Sequence, residues 1–146
     1  MPILLDDHMM RSIIMDHFSN PRHKGVPLNL AEYRQVHKDS ENCIDDIILY
    51  VKVDDGKVID AMFDGVACTI TSSSTDIMCD LIIGKPIEEA NKIIESYFNM
   101  IFEKPFDSDI LEEANAFKNT HKQAARIKCA TIGWNALKEA IDKKDE

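Results

Sequence analysis

The sequence predicts an α+β fold, a small antiparallel sheet of about three strands covered on one side by several helices. Three observations lead there. The dipeptide Asp55-Gly56 separates two β-rich runs, and a type I′ hairpin turn needs positive φ at both of its central positions. Apolar residues recur at three- and four-residue spacing both before and after that hairpin, which is helical periodicity. A chain of 146 residues is about one domain and long enough to bury a core without disulfides.

In chain order, residues 6 to about 19 read as a helix with Met10, Ile13, Ile14 and Phe18 on one face, stopped by Asn20-Pro21. Pro21, Gly25 and Pro27 make the stretch from 20 to 42 irregular, although a third strand is expected near Glu32 to Asp39. Strands from Asp46 to Val53 and from Val58 to Asp64 form the hairpin. Beyond it, Thr71 to Ser74 offer N-caps for a helix bearing Ile77, Met78 and Leu81. Gly84-Lys85-Pro86 ends that helix, and Pro86 opens another with the stripe Ile87, Ala90, Ile94, Tyr97, Phe98 and Ile101. A short acidic helix, about Asp109 to Phe117, should follow. The last helix carries Ile127, Ala130, Trp134, Leu137 and Ile141, which makes Trp134 a core residue. The whole of 1–146 reads as one domain, with 142–146 a frayed tail.

The net charge of -9, from 26 acidic against 17 scattered basic residues, disfavours nucleic acid and anionic membranes as partners. No run approaches the roughly 20 apolar residues that cross a bilayer. MPILLDDHMMRS lacks the basic start and cleavage site of a signal peptide, so a cytoplasmic location is expected.

Four cysteines, Cys43, Cys68, Cys79 and Cys129, contain no CxxC pair. In a reducing compartment such thiols are most often small buried hydrophobes, the reading preferred for Cys79. The stretch SENCIDD, Ser40 to Asp46, differs. Cys43 and Asp45 are two residues apart on an extended chain, so they would share a face. With Asp55 and Gly56 as the loop, Val53 faces Val58 and Ile48 faces Phe63, and the same register sets Cys43 opposite Cys68, with Cβ atoms roughly 4.5 to 5.5 Å apart. A bulge would break that extrapolation. Cys129 lies off the apolar stripe of the last helix, one turn after Arg126. Three thiolates and a carboxylate suit zinc, and thiolates equally suit an iron-sulfur cluster. Around Zn2+ they leave two excess negative charges, which Arg126 could offset. His17, beside Phe18, is expected to be packed or on the surface rather than a ligand.

These residues resemble the IscU/SufU/NifU family of iron-sulfur cluster assembly proteins, whose cysteine boxes run approximately N-P-x-C-G-D, G-x-G-C-x-I and R-x-K-C or K-x-H-C. Here they read SENCID, GVACTI and RIKC. MDHFSNPRHKG is similar to the family's D-H-Y-x-N-P-x-x-x-G, and RIKCATIGWNAL to its last helix, so the resemblance spans about Arg11 to Ile141. Lys128 in place of a histidine, HKQAARIK in place of an LPPVK motif, and about twenty extra residues from Glu103 to about His121 resemble the SufU branch. The resemblance implies an IscU/NifU N-terminal-like fold and the ligand set Cys43, Asp45, Cys68 and Cys129, with Zn2+ as the resting metal. Cys43 would accept persulfide sulfur from a pyridoxal-phosphate cysteine desulfurase of the SufS type, with Arg126 as charge support, and downstream assembly or acceptor proteins would receive it. The alternative role is a scaffold, in which Cys43, Cys68 and Cys129 hold a transient [2Fe-2S] cluster. Departures fall within the boxes: Glu41 for the proline, Ile44 for a glycine and Ala67 for a glycine. A β-branched Ile44 must keep ordinary β geometry or carry strain.

Overall fold

A computed structural model describes residues 6–39 and 44–142. The element order is α1 (Asp7–Ser19), a 3-10 turn at Leu30–Glu32, β1 (Arg34–Asp39), β2 (Asp46–Asp54), β3 (Lys57–Val66), α2 (Thr69–Ile82), α3 (Ile87–Ile101), 3-10 turns at Glu112–Phe117 and Thr120–Lys122, and α4 (Ala124–Asp142). The three strands form one antiparallel sheet in the order β1-β2-β3. Helix α4 lies over β1 and β2, and α2 lies against β3, α1 and α4. Of the tail expected at 142–146, Asp142 is the last residue of α4 and 143–146 lie outside the described residues.

The hairpin turns where the sequence places it. Asp55 (φ 51) and Gly56 (φ 74) both take the left-handed region, as a type I′ turn requires. Val53 faces Val58 as expected, but one extra residue on β3 then shifts the register between Lys52 and Val53. Phe63 therefore faces Leu49 instead of Ile48, and pairing ends at Asp46 with Val66. The register extended to Cys43 and Cys68 is corrected on the same ground: the chain leaves the sheet before Cys68, which belongs to α2. The bulge is the physical reason, because a single inserted residue changes every later partner.

Two helical expectations are also corrected. Helix α2 begins at Thr69 with Cys68 as its cap, so Thr71 to Ser74 lie inside the helix, all buried. The acidic stretch expected as a helix is a 3-10 turn over Glu112–Phe117, entered through Glu112 at φ 43. The strand expected near Glu32 is β1, starting at Arg34 after the Leu30–Glu32 turn.

The core joins Leu49, Val51, Val58, Ala61 and Phe63 of the sheet to the apolar faces of α2, α3 and α4. At its centre Trp134 of α4 stacks on Tyr97 of α3, ring centroids 3.8 Å apart and 5° from parallel. The polar ends of both rings are satisfied without water. Trp134 Nε1–H donates to Ser74 Oγ at 3.0 Å, and the Ser74 and Tyr97 hydroxyls each donate to the Ala130 carbonyl at 2.7 Å. Burial pushes the Tyr97 phenol up, partly offset by Ser74, so it remains a donor. No Cβ fits at Gly133 without moving α2, since it would lie 2.3 Å from Thr75 Oγ1. The small residues of α2 and the glycine of α4 thus let the two helices approach closely. Cys79 is fully buried among these side chains, as expected of a packing thiol, and burial pushes its pKa well up.

Ser74→Ala strips the partner from a buried indole N–H and one donor from Ala130, and is expected to cost about 1–3 kcal/mol. Tyr97→Phe leaves Ser74 on the same carbonyl and should cost about 1 kcal/mol. Urea denaturation of the two variants checks the order, and equal losses would contradict the network.

Candidate metal centre

The end of the sheet away from the hairpin turn carries the site. Gly65, at φ 119, lets β3 run against the start of β2: a Cβ there would lie 2.2 Å from the Asp46 carbonyl oxygen. That close approach sets Asp45 beside the first turn of α2. Asp45 is 1% exposed. Its Oδ1 accepts the Cys68 backbone N–H at 2.8 Å, and its Oδ2 accepts the Thr71 hydroxyl at 2.6 Å. Cys68 caps α2 from extended backbone, φ -69 and ψ 171, with Sγ accepting the Thr71 N–H at 3.4 Å. A helix N-terminus leaves N–H groups without helical acceptors, and here a thiol and a carboxylate take them.

Burial pushes the Asp45 carboxyl up, but the Thr71 hydroxyl, the Cys68 N–H and the thiols of Cys129 and Cys68 outweigh it and hold the group below the ordinary carboxylate value. Asp45 is therefore an ionised acceptor at neutral pH. Cys129, half-buried in the second turn of α4, brings its sulfur to the same place. One ligand atom from each of Asp45, Cys68 and Cys129 lies within 4.8 Å of the others. Cys68 Sγ and Asp45 Oδ2 are 3.9 Å apart. A carboxylate oxygen and two sulfurs converging from three elements form a donor set that fits a thiophilic metal ion.

Of the residues predicted from sequence, the structure brings together Asp45, Cys68 and Cys129. Cys43 lies outside the described residues. Arg126 is exposed and lines the same cleft as Cys68 and Cys129, together with Lys38 and Lys128. Ile44 is 64% exposed and directly precedes the buried Asp45. Sequence reasoning missed Thr71, which touches both Asp45 and Cys68. The signal was the spacing Cys68-x-x-Thr71, a cap and its third helical residue. His17, expected packed or on the surface, is fully buried, with Nδ1 2.6 Å from Asp76 Oδ2 and Nε2 3.3 Å from Glu113 Oε1.

This geometry places the chain among small α+β proteins that bring cysteines and a carboxylate together where a hairpin meets a helix N-terminus. Comparison with known proteins says which of these it joins. The chain belongs to the NifU-like N-terminal domain family, whose model matches residues 9–145. It is 38% identical over 140 residues to the zinc-dependent sulfurtransferase SufU of Bacillus subtilis, covering 95% of this chain and 93% of that protein. It is 37% identical over 139 residues to the iron-sulfur cluster assembly scaffold protein IscU of Streptococcus pyogenes, covering 94% and 85%. The crystal structure of the SUF-system protein FiSufU of Fervidobacterium islandicum superposes with a TM-score of 0.83 at 30% identity, covering 94% of this chain and all of that one. Among the described residues no helix is long and apolar enough to cross a membrane.

Asp45→Ala removes the acceptor of a buried hydroxyl and a backbone N–H, so the metal-free protein should lose about 1–3 kcal/mol. Because the folded carboxyl sits below its unfolded value, its contribution is fully present above about pH 4 and is lost as pH falls through the lowered value. Urea denaturation in chelator should show that acid-side loss in the wild type, and Asp45→Ala should lack that component of it.

Proposed function

We propose that this chain is an iron-sulfur cluster assembly protein that holds zinc through Cys43, Asp45, Cys68 and Cys129 and accepts persulfide sulfur on Cys43 from a cysteine desulfurase. The observation that carries the reading is the convergence of Asp45, Cys68 and Cys129 within 4.8 Å. The near full-length similarity to a zinc-dependent sulfurtransferase supports it. Bound zinc supplies charge that keeps its thiol ligands deprotonated.

The chain's own groups divide the work. Thr71 and the Cys68 N–H orient Asp45, the cap of α2 holds Cys68, and α4 holds Cys129. Cys43 precedes the hairpin in the chain, outside the sequence ranges of α2 and α4 that carry Cys68 and Cys129, so it is the ligand assigned to leave. Once free of the metal, the Cys43 thiolate would attack the terminal sulfur of the desulfurase cysteine persulfide. That S–S bond breaks, the desulfurase thiolate departs, and the sulfur remains on Cys43 as a persulfide. Arg126, in the same cleft, offsets the excess negative charge of the ligand set. Downstream assembly proteins then take the sulfur.

The test mixes zinc-loaded protein with its desulfurase and cysteine and follows persulfide by mass spectrometry. Persulfide on Cys43 with zinc retained is expected, and Cys43→Ala should abolish it. Undiminished acceptance by that variant would refute the assignment to Cys43. Stoichiometric [2Fe-2S] on the protein in place of zinc would favour the scaffold role named for the IscU relatives.

A further inference from the structure

At the other end of α2, 12 residues beyond Cys68 and so about 18 Å along the helix axis, a second group of donor atoms converges. It lies outside the thiol centre and does not depend on the sulfur-transfer reading. His17 of α1, Asp80 of α2 and Glu113 of the 3-10 turn each bring a ligand atom within 4.8 Å of the others. His17 is completely buried, whereas Glu113 and Asp80 have side chains 47% and 42% exposed. The arrangement is a buried imidazole beside two partly exposed carboxylates.

The orientation of the imidazole is fixed from behind. Asp76 is fully buried, and its Oδ1 accepts the backbone N–H groups of Arg22 and His23 at 2.9 and 2.8 Å. Its Oδ2 lies 2.6 Å from His17 Nδ1. With Nδ1 donating to Asp76, the remaining ring nitrogen, Nε2, faces outward toward Glu113 Oε1 at 3.3 Å. A neutral imidazole so held presents a lone pair to an acceptor oxygen, and those two groups have no hydrogen to share. They are compatible when a positive charge lies between them, supplied either by a proton or by a metal ion. A histidine whose other nitrogen is held by a buried carboxylate is the usual support for a metal-ligating imidazole. His23 and Asp80 are 2.6 Å apart, and Arg22 is turned onto Asp16 at 2.6 Å, so Glu113 meets His17 with no arginine inserted between them.

We propose that His17, Asp80 and Glu113 form a second divalent-cation site, with one imidazole nitrogen and two carboxylate ligands, suited to Mn2+, Fe2+ or Zn2+ and completed by water. Its nitrogen-oxygen chemistry is harder than the sulfur-rich centre at the opposite end of α2, so the two sites separate metals by ligand type. Glu113 lies within the Glu103–His121 segment, whose 3-10 turn packs on α1 and α2. The presence of that segment is what completes the site.

The test titrates Mn2+ into the zinc-loaded full-length protein and follows the loss of the free-ion electron paramagnetic resonance signal. One Mn2+ bound per chain is expected, with imidazole nitrogen coupling in the pulsed spectrum. Replacing His17 threatens the fold, because it abandons buried Asp76. The double variant Asp80→Asn/Glu113→Gln changes only the two partly exposed carboxylates. It should weaken Mn2+ binding by about tenfold or more, with the circular dichroism spectrum and zinc content unchanged. Absence of Mn2+ binding by the wild type, binding without nitrogen coupling, or unchanged binding by the folded double variant would overturn the proposal.

Discussion

The Ala130 carbonyl is the point at which the helical layer is fixed. Two hydroxyls from two other helices donate to it, Ser74 of α2 and Tyr97 of α3, and the indole of Trp134 closes the group through Ser74. All of these side chains are at most 1% exposed. In so dry an environment an unpaired polar atom costs more than a made bond gains, which makes the network far more sensitive to relative helix position than apolar packing would be. Cys129 is the residue before Ala130, and Cys68 caps the helix that carries Ser74. The network therefore sets the separation of two candidate ligands without touching either.

Asp45 arrives by a different route. The type I′ turn and the bulge at its mouth determine which residues of β2 and β3 face one another, and Gly65 allows the strand ends to close against Asp46. The carboxylate then reaches the first turn of α2, where the Cys68 N–H and Thr71 hydroxyl take both of its oxygens. An ionised aspartate at 1% exposure survives because those donors, with the thiols nearby, outweigh desolvation. The hydrogen bonds that make the group stable also aim it, so a metal ion meets a ligand whose entropy has already been lost.

The hairpin, the helical stripes and the grouping of Asp45, Cys68 and Cys129 were legible because each rests on a local signal: a dipeptide with demanding dihedrals, an apolar period, a box of residues. What was not legible is instructive. The bulge comes from a single extra residue in a run that alternates well in either register. The polar run Thr71 to Asp76 resembles solvated helix entry, yet it is the buried interior of α2, since small side chains permit close helix approach and Thr71, Ser74 and Asp76 find partners elsewhere in the fold. Asp76 and Glu113 acquire their roles, and Thr71 its bond to Asp45, from neighbours at least 26 residues distant in the chain. No window of sequence contains that information.

Ile44 shows how the two kinds of information combine. Sequence marks it as a departure from a glycine, and the structure finds it 64% exposed, immediately before the buried Asp45. The side chain is not there to fill the core. Its effect must come through the backbone, where a β-branched residue permits far fewer conformations than glycine does. Asp45 is held on its C-terminal side by the sheet and on its own oxygens by α2, so the residue before it is the joint about which any ligand on its N-terminal side would swing. Narrowing that joint restricts the backbone conformations open to the chain just before Asp45. In the proposed sulfur transfer, the substitution accordingly bears on the release of Cys43.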